Sequence, residues 1–253
     1  MNSLKDNPSK QGAPALSVVA PMFNEAGGAG ALIDEVAAAL DGTDYEIVVV
    51  DDCSTDETLS VLRDARRKNR RLRVLSHEIN AGQSRALRSA ILAARAPVIA
   101  TLDGDGQNDP ADIMALYTAL TAQIRPENFA MAAGERATRQ DTAAKKWASR
   151  VANGFRRRLL RDGAVDTGCG LKVFYREAFL QLPYFDHMHR YLPALMRREG
   201  CGVAFFPVSH RPRLYGVSKY TNFGRFLVAI RDLIGVTWLL ARARAPGRIS
   251  EEP

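Results

Sequence analysis

The 253-residue chain has no apolar run of the roughly 20 residues that a membrane-crossing helix requires. Its most apolar stretch near the C-terminus, residues 233–241, is nine residues long and is closed off by Asp232 and Arg242. The opening MNSLKDNPSKQGAP is polar and contains proline, so it lacks the apolar segment of a secretory signal and reads as a disordered lead-in over residues 1–14. Cysteine is scarce. Cys53, Cys169 and Cys201 share no CxxC spacing and cannot all pair, which argues against a disulfide framework and a thiolate zinc site and fits a reducing cytoplasm. There is no internal repeat and no low-complexity tract. With 46% apolar and 25% charged residues, the composition is that of a globular protein with a sizeable core, neither disordered nor fibrous.

The net charge of +7 hides an asymmetry. Residues 1–135 hold 13 Lys/Arg and 19 Asp/Glu (13 − 19 = −6), residues 136–248 hold 22 and 7 (22 − 7 = +15), and the last five add −2. A carboxylate-rich first half can hold a metal and accept from sugar or base hydroxyls. The basic second half attracts phosphates, nucleic acid or an anionic membrane surface, unless its charges are simply solvated helix faces.

Short β-branched runs alternate with helical periodicity through the first half. Strands are expected at Leu16–Met22, Tyr45–Val50, Leu72–Ser76, Pro97–Leu102 and Phe129–Gly134. Helices are expected at Gly30–Leu40, Glu57–Asn69, Ser84–Arg95 and Pro110–Gln123, with Pro110 suited to a first helical position. Uniformly apolar strands between helices imply a parallel sheet covered on both faces, with ligands at the carboxyl ends of the strands. Beyond residue 135 the pattern predicts a basic helix over 138–162, a strand at Leu171–Tyr175, a helix at Tyr191–Glu199, a strand at Val203–Val208 and a helix at Phe223–Leu240. That last helix carries Phe223, Phe226, Leu227, Ile230, Leu233, Ile234 and Trp238 on one stripe.

Four segments bear chemistry. In LDGDGQNDP, Asp103 and Asp105 follow an apolar strand and point the same way on an extended backbone; their mutual repulsion is relieved by a cation such as Mg2+ or Mn2+ held together with a diphosphate. Gln107 adds an amide oxygen. The same letters also fit an Asp/Gly turn ahead of a helix that Asp109 caps. Asp51, Asp52 and Asp56 end another strand, where one carboxylate can select a nucleobase or ribose hydroxyls, or where the segment is a helix cap. Pro21-Met22-Phe23-Asn24-Glu25 offers a ring to a base and Glu25 to a hydroxyl, or is a plain turn. Arg213, Ser218 and Lys219 lie in the Gly-containing loop HRPRLYGVSKY, a donor set for a phosphate, joined by Arg136 and Arg150 from earlier segments.

PMFNE, DDCSTD, LDGDGQNDP, Gly134-Glu135-Arg136, residues 166–170 (DTGCG), residues 189–193 (HRYLP) and HRPRLYGVSKY occur in the order seen in family 2 glycosyltransferases of the polyprenyl-phosphate type. From about residue 15 to 240 the chain resembles dolichyl-phosphate mannose synthases and bacterial undecaprenyl-phosphate sugar transferases. The resemblance implies a GT-A fold, mostly parallel with helices on both faces, over residues 15–220. An amphipathic basic helical segment follows over 221–245, then a tail over 246–253. It further implies inverting transfer of one sugar from a nucleoside diphosphate sugar to a polyprenyl phosphate, dependent on Mg2+ or Mn2+. On that basis Pro21, Phe23, Glu25, Asp52 and Asp103 bind the nucleotide, and Asp103, Asp105 and Gln107 the metal. Arg136, Arg150, Arg213, Ser218 and Lys219 gather the acceptor phosphate, and Asp103, Asp105 and Arg213 act in the reaction. Phe23 replaces the commoner Tyr of the first motif.

Many bacterial relatives continue into two transmembrane helices, whereas this sequence stops at Pro253. The expected protein is therefore cytoplasmic and peripheral to the inner face of the membrane. Its terminal helix, with Arg225, Arg231, Arg242 and Arg244, rests on lipid, on its own domain or on an integral-membrane partner. A sugar-nucleotide pyrophosphorylase is disfavoured because AGGAG at residues 26–30 lacks a following basic residue. A nucleic-acid binder leaves the acidic strand ends unexplained and lacks aromatic-basic interleaving. A lipid-surface or nucleotide-sugar-binding scaffold of the same fold that has lost catalysis is the alternative hardest to exclude, and the presence of both carboxylates of the DxD stands against it.

Overall fold

A computed structural model describes residues 12–124, 126–136, 154, 156, 158–164, 166, 168–213 and 222–243, with side chains of the last helix described from residue 228. Seven strands form one sheet: β1 (Leu16–Met22), β2 (Tyr45–Asp51), β3 (Leu72–Ser76), β4 (Val98–Thr101), β5 (Phe129–Arg136), β6 (Lys172–Tyr175) and β7 (Gly202–Val208), in the order β3-β2-β1-β4-β6-β5-β7. The helices are α1 (Ala26–Ala39), α2 (Thr58–Lys68), α3 (Gln83–Ala93), α4 (Ile113–Thr121), α5 (Arg176–Leu180), α6 (Leu192–Arg198) and α7 (Asn222–Ala241). Strands β1 to β4 are parallel, as their both-face burial predicts. Strand β6 departs from that expectation, running antiparallel between β4 and β5. Its reversed direction sets Lys172 opposite Thr101 and brings the preceding residues 168–171 to the carboxyl end of β4, where Thr101 Oγ1 donates to the Gly170 carbonyl at 2.5 Å.

Period-2 alternation sends side chains to two apolar layers. Val18, Ala20, Met22, Ile47 and Val49 pack under Leu32, Ile33 and Val36 of α1, Leu62 of α2 and Leu116 of α4. Val19, Val48 and Val50 pack on the other face under Leu87 and Ile91 of α3, Phe179 of α5 and Leu195 of α6. Burying each such side chain is worth about 1.5–3 kcal/mol, so the strand ends that carry the site rest on a rigid floor.

Helix starts differ from the sequence reading where side chains from elsewhere satisfy their first amides. Helix α1 begins at Ala26 because the Asp56 carboxylate accepts the Ala26 N–H at 3.2 Å, so the glycines of AGGAG enter the helix. The expected helix at Pro110 opens as a 3-10 turn, Pro110–Asp112, capped by Asp109, which accepts the Ala111 N–H at 3.0 Å. The basic helix expected over 138–162 lies mostly outside the described residues. In α7 the expected single stripe divides between two faces. Val236 is buried, and Leu233, Leu239 and Leu240 pack beside it, whereas Ile230, Ile234 and Trp238 are exposed. The side chains of Phe223, Arg225, Phe226 and Leu227, and Arg244, lie outside the described residues. Among the described residues no helix is long and apolar enough to cross a membrane.

Candidate active site

Three loops leave the carboxyl ends of β1, β2 and β4 and are fastened into one rim. Asn24 sits in the left-handed region (φ 55°), which an Asn tolerates. Its N–H donates to Ser54 Oγ at 2.9 Å, and its Oδ1 accepts the Thr55 N–H at 2.7 Å. The Glu25 N–H donates to Thr58 Oγ1 at 2.8 Å. The β4 loop rests directly on the β1 loop: a Cβ on Gly104 would lie 2.7 Å from the Pro21 carbonyl oxygen and 2.8 Å from Met22 Cγ, so only glycine admits this approach. Pro21 thus meets the DxD loop through its backbone, and partly buried Phe23 follows on the same rim.

Asp103 and Asp105 form the acidic centre. Burial, and then the neighbouring Asp105 charge, push the Asp103 carboxyl up to about 6, against the opposing pull of Lys172 and Arg136. Asp103 Oδ1 accepts from Gln83 Nε2 at 2.8 Å. Its Oδ2 lies over Gly170, where a Cβ would approach to 2.2 Å. Asp105 Oδ1 accepts the Gln107 N–H at 3.2 Å. Its Oδ2 lies 3.7 Å from Arg213 Nη2, which also donates to Glu25 Oε1 at 2.7 Å. Arg213 therefore bridges the first acidic loop and the DxD, with its Nε buried and lacking a hydrogen-bond partner among the described residues. Among the described residues no three carboxylate, imidazole or thiol groups cluster as a preformed cage. Two carboxylates whose repulsion raises one of them nevertheless suit a hard divalent cation that takes its other oxygens from substrate phosphates and water.

The Asp52 carboxylate is buried and accepts three donors of the chain itself. His77 Nδ1 lies 2.6 Å from Oδ1, the Ala81 N–H donates to Oδ1 at 2.9 Å, and the Gly82 N–H donates to Oδ2 at 2.8 Å. His77 Nε2 in turn lies 2.9 Å from Ser89 Oγ. Asp52 therefore anchors the loop over residues 77–82 at the crevice. Asp51, beneath it, has Oδ1 buried with no hydrogen-bond partner among the described residues.

Arg136 is held bidentately by Asp166, with Nη2 donating to Oδ1 at 2.7 Å and Nε to Oδ2, and this pairing raises the guanidinium further. It stands behind the DTGCG loop, close enough to lower the Asp103 carboxyl. Arg150, Ser218 and Lys219 lie outside the described residues. The structure thus brings together Pro21, Phe23, Glu25, Asp52, Asp103, Asp105, Gln107 and Arg213, and sets Arg136 one loop back.

The sequence reading assigned no role to several residues around this centre. The first two residues of α3 tie separate parts of it: Gln83 to Asp103, and Ser84 to His189, whose Nδ1 lies 2.7 Å from Ser84 Oγ. Burial, then the Arg190 and Lys172 charges, hold His189 well below the usual imidazole range. Lys172 is buried with its Nζ on the Cys169 carbonyl, and burial lowers its pKa. His189 lay in one of the family-like segments, but Gln83 lay in none.

The parallel strand ends, the acidic pair and the crossing arginine form one crevice on an α/β sheet whose fold is that of GT-A glycosyltransferases. A mannosyltransferase from Pyrobaculum calidifontis, solved with GDP-Man and Mn2+, superposes with a TM-score of 0.65 at 19% identity, covering 92% of this chain and 65% of that one. Glucosyl-3-phosphoglycerate synthase from Mycobacterium tuberculosis, solved with Mg2+ and UDP, gives 0.66 at 17% identity over 94% and 83%. Residues 17–182 match the model for glycosyl transferase family 2, and the chain belongs to that family. Dodecaprenyl-phosphate galacturonate synthase of Rhizobium johnstonii is 34% identical over 238 residues, 92% of this chain and 69% of the relative. Undecaprenyl-phosphate 4-deoxy-4-formamido-L-arabinose transferase of Enterobacter sp. is 32% identical over 223 residues, 87% of this chain and 66% of the relative. The chain spans about two thirds of the length of these relatives.

Proposed function

We propose that this glycosyltransferase moves one sugar, with inversion, from a nucleoside diphosphate sugar to a polyprenyl phosphate. The observation that supports this reading is the contact of Arg213 with both Glu25 and Asp105, a guanidinium between the β1 loop and the DxD that suits a phosphate. The names of the relatives, all polyprenyl-phosphate sugar transferases, supply the acceptor class. Phe23 packs on the base, Glu25 accepts from ribose, and Asp52 fixes the loop that closes the base pocket. Asp103, Asp105 and Gln107 hold Mg2+ or Mn2+. Bound there, the ion supplies charge stabilisation for the departing diphosphate.

A phosphate monoester is already anionic at neutral pH, so the acceptor oxygen needs little help from a general base. The chain's task is to overcome repulsion between two phosphate-bearing molecules and to align them. Arg213, with Arg136, Arg150, Ser218 and Lys219, gathers the acceptor phosphate. Mass spectrometry of the lipid fraction after incubation with undecaprenyl phosphate and a panel of donors tests this: one donor should yield a lipid heavier by a single sugar. Nucleotide release that is independent of added lipid phosphate would contradict it.

The lipid acceptor places the enzyme at the inner face of the membrane. The outward row Ile230, Ile234 and Trp238 on α7, beside Arg231 and Arg242, suits an anionic surface, with the Arg242 guanidinium 5.8 Å from the Trp238 ring centre. Binding to vesicles rich in phosphatidylglycerol should be reversed by molar salt and weakened by Trp238→Ala. Retention until detergent is added would point instead to an integral-membrane partner.

A further inference from the structure

We propose that the edge of the sheet opposite the crevice carries a second anion site, shaped for a molecule with two or more adjacent phosphoryl groups. Residues 63–73 hold seven Lys/Arg against Asp64 (7 − 1 = +6), an island of positive charge in the half of the chain whose net charge is −6. The fold gathers Arg66, Arg70, Arg71, Arg73 and, from the turn before β4, Arg95 around a cleft of about 470 Å3. The cleft runs from the amino ends of β2 and β4 along the edge strand β3 as far as Leu75. Arg66, Arg70, Arg71 and Arg95 belong to its amino-end part, where Tyr45 stands six residues of extended strand, about 20 Å, from Asp51 at the catalytic rim.

The cluster differs from a solvated basic face because most of its members are held in place. Arg66 Nη1 donates to the Leu72 carbonyl at 3.2 Å. The Arg71 guanidinium lies 4.5 Å over the Tyr45 ring. Arg73 Nη1 donates to Glu46 Oε2 and to the Ala93 carbonyl, both at 2.8 Å. The Arg95 N–H donates to Glu46 Oε1 at 2.6 Å, which fixes the point from which its side chain leaves the backbone. Glu46 is thereby committed to internal partners, Ser17 among them. The Arg70 and Arg95 side chains have no hydrogen-bond or ion-pair partner among the described residues.

Five guanidiniums against the two wall carboxylates, Asp44 and Glu46, leave +3 (5 − 2), which matches the charge of a diphosphate or longer phosphate chain. Planar guanidinium forks converging from separate backbone positions engage neighbouring phosphoryl oxygens together, where a single phosphate reaches fewer of them. The donors line a concave wall, which admits a free phosphorylated solute more readily than a planar lipid surface. This site does not depend on the proposed reaction.

Calorimetry of the full chain in EDTA and moderate chloride, titrated with inorganic pyrophosphate, tests the proposal. One saturable event is expected, retained in Arg213→Ala and weakened at least tenfold in Arg70→Ala/Arg95→Ala. Both of the latter residues are exposed, and an unchanged Tm and circular dichroism would certify the fold of that variant. Orthophosphate should bind at least tenfold more weakly than pyrophosphate, and the double variant should retain its binding to phosphatidylglycerol vesicles. No pyrophosphate binding by the wild type, equal affinity for orthophosphate, or loss in Arg213→Ala rather than in the double variant would overturn it. So would a deficit confined to vesicles.

Discussion

Asp105→Asn is expected to lower sugar transfer at least a thousandfold while leaving the protein folded. Its carboxylate is partly exposed, and its own contacts are modest, the Gln107 N–H at 3.2 Å and Arg213 at 3.7 Å. Asparagine keeps an acceptor oxygen for the former, so stability changes little. What is lost is one of the two negative charges proposed to hold the cation. A cation bound at a leaving diphosphate contributes several kcal/mol to the transition state, and a thousandfold corresponds to about 4 kcal/mol. Steady-state rates with Mn2+ in excess, alongside thermal melts, check this. Turnover within tenfold of wild type would remove Asp105 from the metal site.

Asp103→Asn should give the opposite pairing of effects: activity lost and the metal-free protein made more stable. The Asp103 carboxyl is raised from 3.8 to about 6, with burial the main cause and Asp105 the next. A raised carboxyl means the folded state takes up a proton more readily than the unfolded chain, so stability falls as pH rises. The cost of holding the ionised form is absent below about pH 4, grows between 4 and 6 and is complete above 6. Allowing for solvent screening at a partly buried site, it amounts to about 1–3 kcal/mol. At pH 7.5 in EDTA the variant should therefore melt several degrees above wild type, and the gap should close as pH approaches 4. A variant that melts lower at pH 7.5, or a gap independent of pH, would contradict the strained-carboxylate account. A divalent ion bound beside Asp103 would relieve the same strain and so stabilise the folded chain.

Local signals carried some parts of this architecture and left others dark. Strands β1 and β3 have the limits expected from the sequence, and the acidic loops after β1, β2 and β4 could be placed on one rim because parallel strands share their carboxyl ends. The reversal of β6 was not legible: a strand buried on both faces reads the same in either direction. Helix α5, five residues long, is too short to show a period. The split of α7 arises because its apolar residues exceed one face, and which face meets the core is decided by α6 and its neighbours. At the site, residue types were readable but pairings were not. The Gln83–Asp103 bond spans 20 residues, Arg136–Asp166 spans 30, and Glu25–Arg213 spans 188. No local pattern encodes such contacts. They follow only from the strand order, which also explains why Asp52, read as the base-selecting carboxylate, accepts donors from residues 77–82.

The central claim, that acidic strand ends and a cation together hold the activated sugar, is tested most directly by titrating nucleoside diphosphate sugars into the full chain with divalent ions chelated and then restored. The account predicts that one donor binds with Mn2+ present, loses affinity at least a hundredfold in chelator and recovers fully on replenishment. Equal affinity in both conditions, or no uptake of any donor with Mn2+ restored, would contradict it.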